Sequence, residues 1–173
     1  MKTLLLIRHA KADWPEGKVP AHATDRDRPL TTRGEADAVQ MAHRIQQLKA
    51  VPELLISSPV LRAATTARMM AREWQYPEEA IQWQPRLYQA DLTDFIETIT
   101  NLPDTYKSIA LFSHNPGITL FANALTTYNL QHIPTCGAVA FHVQTTDWAR
   151  FWQAEKKLWF FEYPEKLQQQ SRV

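Results

Sequence analysis

Arginine and histidine side chains follow three separate apolar runs of the chain, and both residue types suit phosphate chemistry. They are Arg8 and His9 after the first run, Arg62 after the second and His114 after the third. Guanidinium groups bind phosphoryl oxygens in a bidentate manner and stay charged at every relevant pH. A neutral imidazole is a competent nucleophile toward phosphorus, and its ordinary pKa of ~6.5 leaves much of it unprotonated at neutral pH. Brought together, these side chains would form a phosphate site able to carry out a covalent step.

The three runs have the pattern of strands buried on both faces of a parallel sheet. Residues 4–7, 53–56 and 108–112 each contain a continuous apolar stretch without alternation. Apolar residues at helical spacing separate the runs, which predicts an α/β architecture. Ligands of open α/β sheets bind outside the carboxyl ends of the strands, and the four basic residues all follow such ends.

The first helix is predicted from a capping signal. Thr31 and Thr32 are able to cap a helix, Glu35 is placed to complete a capping box, and an apolar face continues to Lys49. The preceding residues, 10–30, are polar and contain prolines and a glycine. A structureless segment of this size inside a compact domain usually serves function, so we expect it to border the site.

Three further helices are predicted from apolar spacing. The second helix has Pro59 in its first turn, with Arg62 close behind, and its apolar face extends to about residue 76. Residues 92–102 and 118–125 show the same periodicity. An arginine in the first turn of a helix lies beside outward-pointing backbone N–H groups, which favours an anion there.

The last quarter of the chain changes character. Residues 138–143 and 158–163 are predicted as two strands that bracket a turn around 148–152, with no helix between them. We expect a hairpin at one edge of the sheet. The predicted fold is a single domain over residues 1–173: a three-layer α/β/α sandwich whose mostly parallel central sheet carries an antiparallel edge strand.

Composition excludes several classes of protein. Among 173 residues, 19 Lys and Arg balance 18 Asp and Glu, so the net charge of +1 offers no global attraction to nucleic acid or to a membrane surface. A lone Cys136 cannot form an internal disulfide, and the chain begins without a signal sequence, so we expect a cytoplasmic protein. Nothing in the sequence sets an oligomeric state.

Metal-dependent chemistry has no motif to support it. The remaining histidines lack metal-ligand spacing, no HExxH string or Cys–His cluster is present, and the four glycines form no phosphate-binding loop followed by Lys and Ser or Thr. We therefore expect neither a metal nor a cofactor.

Four strings resemble the histidine phosphatase superfamily, particularly its short SixA-type phosphohistidine phosphatases. They are LLLIRHAKAD at the start, DRPLTTRGEADA from Asp27, SSPVLRAATTA from Ser57 and SHNPG from Ser113. The resemblance spans nearly the whole chain and implies a phosphoglycerate mutase-like fold. It further implies that His9 is transiently phosphorylated and that Arg8, Arg62 and His114 complete the phosphate pocket.

The sequence departs from the wider superfamily in its acids. Asn115 stands where the acid phosphatases place an Asp that donates a proton, and an amide cannot do this at neutral pH. The Glu of the mutase branch has no match, because Asp91 and Asp94 lie in a different string. Ala10, where many members carry Gly, is a conservative change that short SixA-type members share.

Three further residues are expected to bind substrate: Arg28, Asn115 and Ser57. For Arg28 two interpretations stay open. Its side chain either reaches the phosphate from the loop or forms an ordinary surface pair with Asp25 or Asp27.

The predicted function is a metal-independent phosphatase that acts through a phosphohistidine intermediate, with phosphohistidine on a protein partner as substrate. The alternative keeps the same pocket but acts on phosphate esters of small metabolites. A third possibility, from a different class, is a pseudoenzyme that only binds phosphorylated proteins.

Overall fold

A computed structural model describes residues 1–172 and contains six strands and five α-helices. The strands are β1 (Lys2–Arg8), β2 (Leu54–Ser57), β3 (Gln82–Trp83), β4 (Ser108–Ser113), β5 (Ala138–Val143) and β6 (Lys156–Glu162). The helices are α1 (Thr32–Gln47), α2 (Leu61–Glu73), α3 (Leu92–Thr100), α4 (Gly117–Ala124) and α5 (Pro164–Ser171). Short 3-10 turns, including Asp25–Asp27 and Trp148–Arg150, lie in the connections.

The strands form one sheet in the order β3-β2-β4-β1-β5-β6. Neighbours among the first four run parallel, and β5 runs antiparallel to both β1 and β6. The predicted α/β fold class is therefore confirmed. The antiparallel strand β5 is not itself the edge strand, because β6 pairs with its outer side.

Helices cover both faces of the sheet, which explains the continuous apolar strands. Leu5 and Ile7 of β1 face a core that includes side chains of α1 and α2, whereas Leu4 and Leu6 face a second core with side chains of α3 and α4. All four are fully buried. Alternate residues of one strand thus enter opposite cores, the arrangement expected of a three-layer sandwich.

Two helix starts differ from the sequence prediction. Thr31 is the N-cap of α1 and accepts a hydrogen bond from the N–H of Gly34, so Glu35 lies one position too late to complete a capping box. Pro59 precedes the N-cap Val60 of α2 and is not part of its first turn. Arg62 is the second residue of α2, as predicted.

The C-terminal part contains helical structure that the sequence analysis missed. A 3-10 turn, Trp148–Arg150, lies between β5 and β6, where the sequence pattern predicts no helix. Asp147 caps this turn by accepting from the N–H of Arg150. Helix α5 follows β6 and begins with Pro164 in its first turn.

Candidate active site

The register of the central strands places two histidines side by side. Arg8, the last residue of β1, is paired with Ser113, the last residue of the parallel neighbour β4. His9 and His114 each follow by one residue, and their ring centroids are 5.2 Å apart. Both side chains are almost fully buried, with 7% and 6% of their surface exposed. The sheet edge therefore holds the two imidazoles in one pocket.

A backbone contact fixes the tautomer of His9. Its Nδ1 lies 2.7 Å from the carbonyl oxygen of Ala10. A carbonyl only accepts hydrogen bonds, so Nδ1 carries the hydrogen and Nε2 keeps its lone pair. Burial lowers the pKa of His9 to about 4, and the charges of Arg62 and Arg8 act in the same direction, although the bond to Ala10 opposes them. His9 is thus a neutral imidazole at pH 7 with Nε2 available for attack.

His114 is also neutral at pH 7. Its Nε2 lies 2.8 Å from the hydroxyl oxygen of Ser58, and its Nδ1 is buried without a partner. Burial is the main cause that lowers the pKa of His114 to about 3, and the neighbouring His9 and Arg62 act in the same direction. The ring is therefore held at one edge and unbonded at the other.

Arg62 enters the pocket from the start of α2 and is only 5% exposed. Its Nη1 donates to the backbone oxygen of Asp25 at 2.8 Å, and its Nη2 donates to the Asp25 carboxylate at 2.9 Å. Thr66, one turn further along α2, accepts a hydrogen bond from the N–H of Ala10 and donates to the backbone oxygen of Arg62. This hydroxyl ties the segment after β1 to the helix that carries Arg62.

Arg8 and Arg28 complete the cationic part of the pocket. Arg8 is partly buried, and its Nη1 donates to the backbone oxygen of Ile133 at 3.0 Å. The Nη2 of Arg28 donates to the Asp25 carboxylate at 2.8 Å. The pair that we considered for Arg28 is therefore present, yet the charge of Arg28 also contributes to the lowered pKa of His9.

Unpaired polar atoms are concentrated at this site. Within residues 1–172, five buried side-chain nitrogen or oxygen atoms have no hydrogen-bond partner. Four belong to the site, namely the Nε atoms of Arg8, Arg28 and Arg62 and the Nδ1 of His114; the fifth is the Nδ1 of His142 on β5. A buried donor without a partner costs about 1–3 kcal/mol, more when it is charged. An anion bound between these side chains would satisfy the donors.

The structure keeps two predicted substrate-binding residues occupied elsewhere. Ser57 is fully buried, and its hydroxyl donates to the backbone oxygen of Ser58. Asn115 borders the pocket, but its amide nitrogen donates to Ile133 and its oxygen accepts from Thr119. Local bonds thus use both ends of the Asn115 amide.

Sequence reasoning missed two residues that contact the site from distant parts of the chain. Asp25 accepts from Arg62, Arg28 and Tyr88. The ring of Tyr88 lies edge-on to His114, with centroids 5.3 Å apart. The only local signal was the spacing of three between Asp25 and Arg28, which indicates a surface pair and nothing more.

Comparison with known proteins identifies the family. The family model described as histidine phosphatase superfamily (branch 1) matches residues 4–95. A protein of Mycobacterium leprae is 31% identical over 120 residues, which cover 69% of this chain and 71% of that protein. The chain belongs to the histidine phosphatase superfamily. It is accordingly a phosphatase. The segment that the family model matches ends before His114.

Solved structures show the same fold for this phosphatase. The protein histidine phosphatase SixA complexed with tungstate superimposes with a TM-score of 0.78 at 21% identity, over 95% of this chain and 99% of that one. A mycobacterial glucosyl-3-phosphoglycerate phosphatase in complex with VO3 gives a TM-score of 0.71 at 14% identity, over 95% and 100% of the two chains. The phosphoglycerate mutase-like fold therefore accommodates phosphatases whose names state quite different substrates.

Asp91 and Asp94, the two carboxylates that do not match the Glu of the mutase branch, both have structural partners. Asp91 is the N-cap of α3, and its carboxylate accepts from the N–H of Asp94 at 2.9 Å. The Asp94 carboxylate accepts in return from the N–H of Asp91 at 3.0 Å. Both carboxylates thus stabilise the start of α3.

Residues 1–172 show neither a metal-binding cluster nor a membrane-spanning helix. That part of the chain holds no group of three or more His, Cys, Asp or Glu side chains placed to bind a metal ion. None of its helices combines the length and the apolar character that crossing a bilayer requires.

Proposed function

We propose that the phosphatase works in two steps through a phosphorylated His9. The lone pair of Nε2 attacks phosphorus, the bond from phosphorus to the leaving group breaks, and the phosphoryl group is transferred to His9. Water then attacks the phosphohistidine, inorganic phosphate leaves, and the neutral imidazole is restored. The observation that carries this proposal is the neutral, buried His9 with a free Nε2, close enough to Arg8, Arg28 and Arg62 to feel their charges, while the Nε–H groups of these arginines are unpaired.

Arg8, Arg62 and His114 supply the charge stabilisation in this scheme. A phosphoryl group in transfer spreads negative charge over its equatorial oxygens, and catalysis is mostly positioning and electrostatics. The unpaired Nε–H groups of Arg8 and Arg62 are donors of the right kind, and Arg28 adds a third from the loop. Because these groups are already buried and fixed, they need little reorganisation when the charge develops.

We infer that the substrate is phosphohistidine presented by a protein partner. An alcohol needs a proton from an acid in order to leave, whereas an imidazole accepts a proton near pH ~6.5 and leaves neutral. Asp91 and Asp94 are bonded to backbone N–H groups, and the amide of Asn115 cannot act as an acid. The name of SixA, a protein histidine phosphatase of the same fold, is consistent with this choice.

A cavity next to the site favours the alternative substrate. Its volume is about 550 Å³, and it is bordered by Asp25, Arg62, Tyr88, His114 and Leu120. A volume in the range of about 300–1,000 Å³ accommodates a small organic molecule. A phosphate ester of a small metabolite is therefore the second candidate, in line with the name of the glucosyl-3-phosphoglycerate phosphatase that shares the fold.

The nucleophile is tested by replacing it. Brief mixing with an aryl phosphate followed by alkaline denaturation should trap acid-labile, alkali-stable phosphate on wild-type protein and none on His9→Ala. The variant should lose turnover but still bind inorganic phosphate, because the arginines remain. Full activity of His9→Ala would contradict the assignment.

A substrate panel separates the two candidates. We expect phosphohistidine proteins and activated aryl phosphates to be hydrolysed and phosphoserine and sugar phosphates to be much slower. A sugar phosphate turned over as fast as phosphohistidine would favour the metabolite phosphatase.

A further inference from the structure

Asp25 connects otherwise separate parts of the site. One carboxylate oxygen, Oδ1, accepts from Arg28 at 2.8 Å, and the other, Oδ2, accepts from Arg62 and from the hydroxyl of Tyr88, both at 2.9 Å. Its backbone oxygen accepts from Arg62 as well. The side chain makes these contacts although half of its surface is exposed to solvent. Three functional side chains from three parts of the chain converge on one carboxylate.

The contacts of Asp25 leave the remaining donors of both arginines free. A guanidinium has five N–H donors in a rigid planar fork. Asp25 uses one hydrogen from each terminal nitrogen of Arg62, and the Nε–H stays unpaired. In Arg28 it uses a terminal nitrogen, and the Nε–H is again unpaired. Asp25 thus binds both guanidinium groups through their terminal nitrogens and leaves their Nε–H groups free.

Asp25 also offsets part of the positive charge at the site. Arg8, Arg28 and Arg62 all contribute to lowering the pKa of His9, which shows how closely their charges are gathered. In the described part of the chain, residues 1–172, Asp25 is the one carboxylate that forms an ion pair with any of the three. Like charges held together repel, and a bridging anion lowers that cost before substrate arrives.

The contacts of Asp25 do not fit the role of a proton donor or that of an anion that competes with phosphate. Partial burial would raise the pKa of this carboxyl, but hydrogen bonds from Tyr88 and Arg62 outweigh it and lower the pKa, so the group is ionised at pH 7 and is a poor proton donor. A carboxylate that competed with phosphate would occupy the guanidinium donors, whereas the Nε–H groups of Arg28 and Arg62 stay unpaired beside Asp25.

We propose that Asp25 is a positioning residue that holds Arg62 and Arg28 in the geometry that binds the phosphoryl group. This inference rests on the proposed function, because it assigns the anion at the site to a phosphoryl group. Tyr88 supports the arrangement by bonding Asp25 with its hydroxyl while its ring lies against His114. The loop that carries Asp25 thereby becomes part of the phosphate site.

The test compares Asp25→Ala and Asp25→Glu with wild type. One readout is inhibition by inorganic phosphate. The other is kcat/KM for two substrates, p-nitrophenyl phosphate and phenyl phosphate, of which phenyl phosphate has the poorer leaving group. Hydrogen bonds to charged groups are worth about 1.5–3 kcal/mol, so Asp25→Ala should weaken phosphate binding and lower kcat/KM by about 10- to 100-fold. The value of kcat/KM should fall by the same factor for both substrates. Asp25→Glu should recover part of this loss.

Two results would overturn the inference in different directions. Tighter phosphate binding by Asp25→Ala would make Asp25 a competing anion, and a loss confined to phenyl phosphate would make it a proton donor. Glu16→Gln is the matched control, because Glu16 lies in the same loop, is exposed and, among residues 1–172, forms an ion pair with Lys18 alone. If Asp25→Ala does not fold, Asp25→Asn replaces it and should show the same equal loss.

Measurements on wild-type protein distinguish failure of the proposed function from failure of the positioning role of Asp25. If it neither hydrolyses an aryl phosphate nor binds inorganic phosphate, the proposed function fails. If it does both and Asp25→Ala behaves like wild type, the function stands and the positioning role alone is refuted.

Discussion

Two buried, neutral histidines should make the stability of this fold sensitive to acid. His9 and His114 have pKa values of about 4 and about 3 in the folded protein, against 6.5 for an ordinary histidine. Below pH 6.5 the unfolded chain therefore binds protons that the folded protein does not. The free energy of unfolding is unaffected by these groups above pH 6.5 and decreases as the pH falls below it.

The size of the effect follows from the two shifts. Each histidine lowers the free energy of unfolding by about 1.4 kcal/mol per pH unit until its folded pKa is reached. Between pH 6.5 and pH 5 this amounts to about 2 kcal/mol per histidine and about 4 kcal/mol for the pair. Single domains have total stabilities of about 5–15 kcal/mol, so the loss is a large fraction of the whole.

Urea unfolding at pH 7.5 and pH 5 measures this contribution. Carboxylates add their own pH dependence, but they do so equally in a histidine variant. We expect His9→Asn and His114→Asn each to reduce the difference between the two pH values by about 2 kcal/mol. His22→Asn is the control, because His22 is exposed and its left-handed φ of 64° suits Asn. If His9→Asn retained the full pH dependence of wild type, the pKa argument for a neutral nucleophile would be wrong.

Three more outcomes are expected. Arg62→Ala should lower kcat/KM roughly 150-fold, which corresponds to about 3 kcal/mol of transition-state stabilisation, as for loss of one oxyanion donor. A loss below about tenfold would show that Arg62 does not bind the phosphoryl group. Activity should persist in EDTA, because residues 1–172 hold no cluster of metal-ligating side chains; loss of activity restored by Mg²⁺ or Zn²⁺ would contradict this. Gly34→Ala should cost about 1–3 kcal/mol in urea unfolding, because a Cβ there would overlap the backbone oxygen of Lys11; unchanged stability would show that this segment yields.

Much of the sheet could be predicted from sequence because its physical requirement is visible in consecutive residues. A strand covered on both faces needs a continuous apolar stretch, and β1, β2 and β4 contain one at residues 4–7, 54–56 and 109–112. Helix α5 lacked such a signal, since its residues are polar apart from Leu167, and only Pro164 marked its start. It is held by packing of Leu167 against the core formed with α1 and α2, which local periodicity does not report.

The site was predictable to the same extent. Side chains that follow parallel strands must meet at one edge, so the proximity of His9 and His114 follows from topology alone. The bond from Arg62 to Asp25 joins residues 37 positions apart and depends on how the loop before α1 folds back over α2. No spacing rule covers such a contact, and Asp25 therefore looked like a surface carboxylate.

The protonation states around the pocket constrain the chemistry beyond the first step. His114 is neutral at pH 7 because of its lowered pKa, Asp25 is ionised, and Asp91 and Asp94 are bonded to the start of α3. A site with donors of this kind stabilises the phosphoryl group well and assists the leaving group poorly. The rate of His9 phosphorylation should then depend steeply on the basicity of the leaving group. An imidazole takes up its own proton and leaves neutral, so this dependence slows its departure less than that of an alkoxide, which supports the proposal of phosphohistidine rather than an alkyl phosphate as substrate.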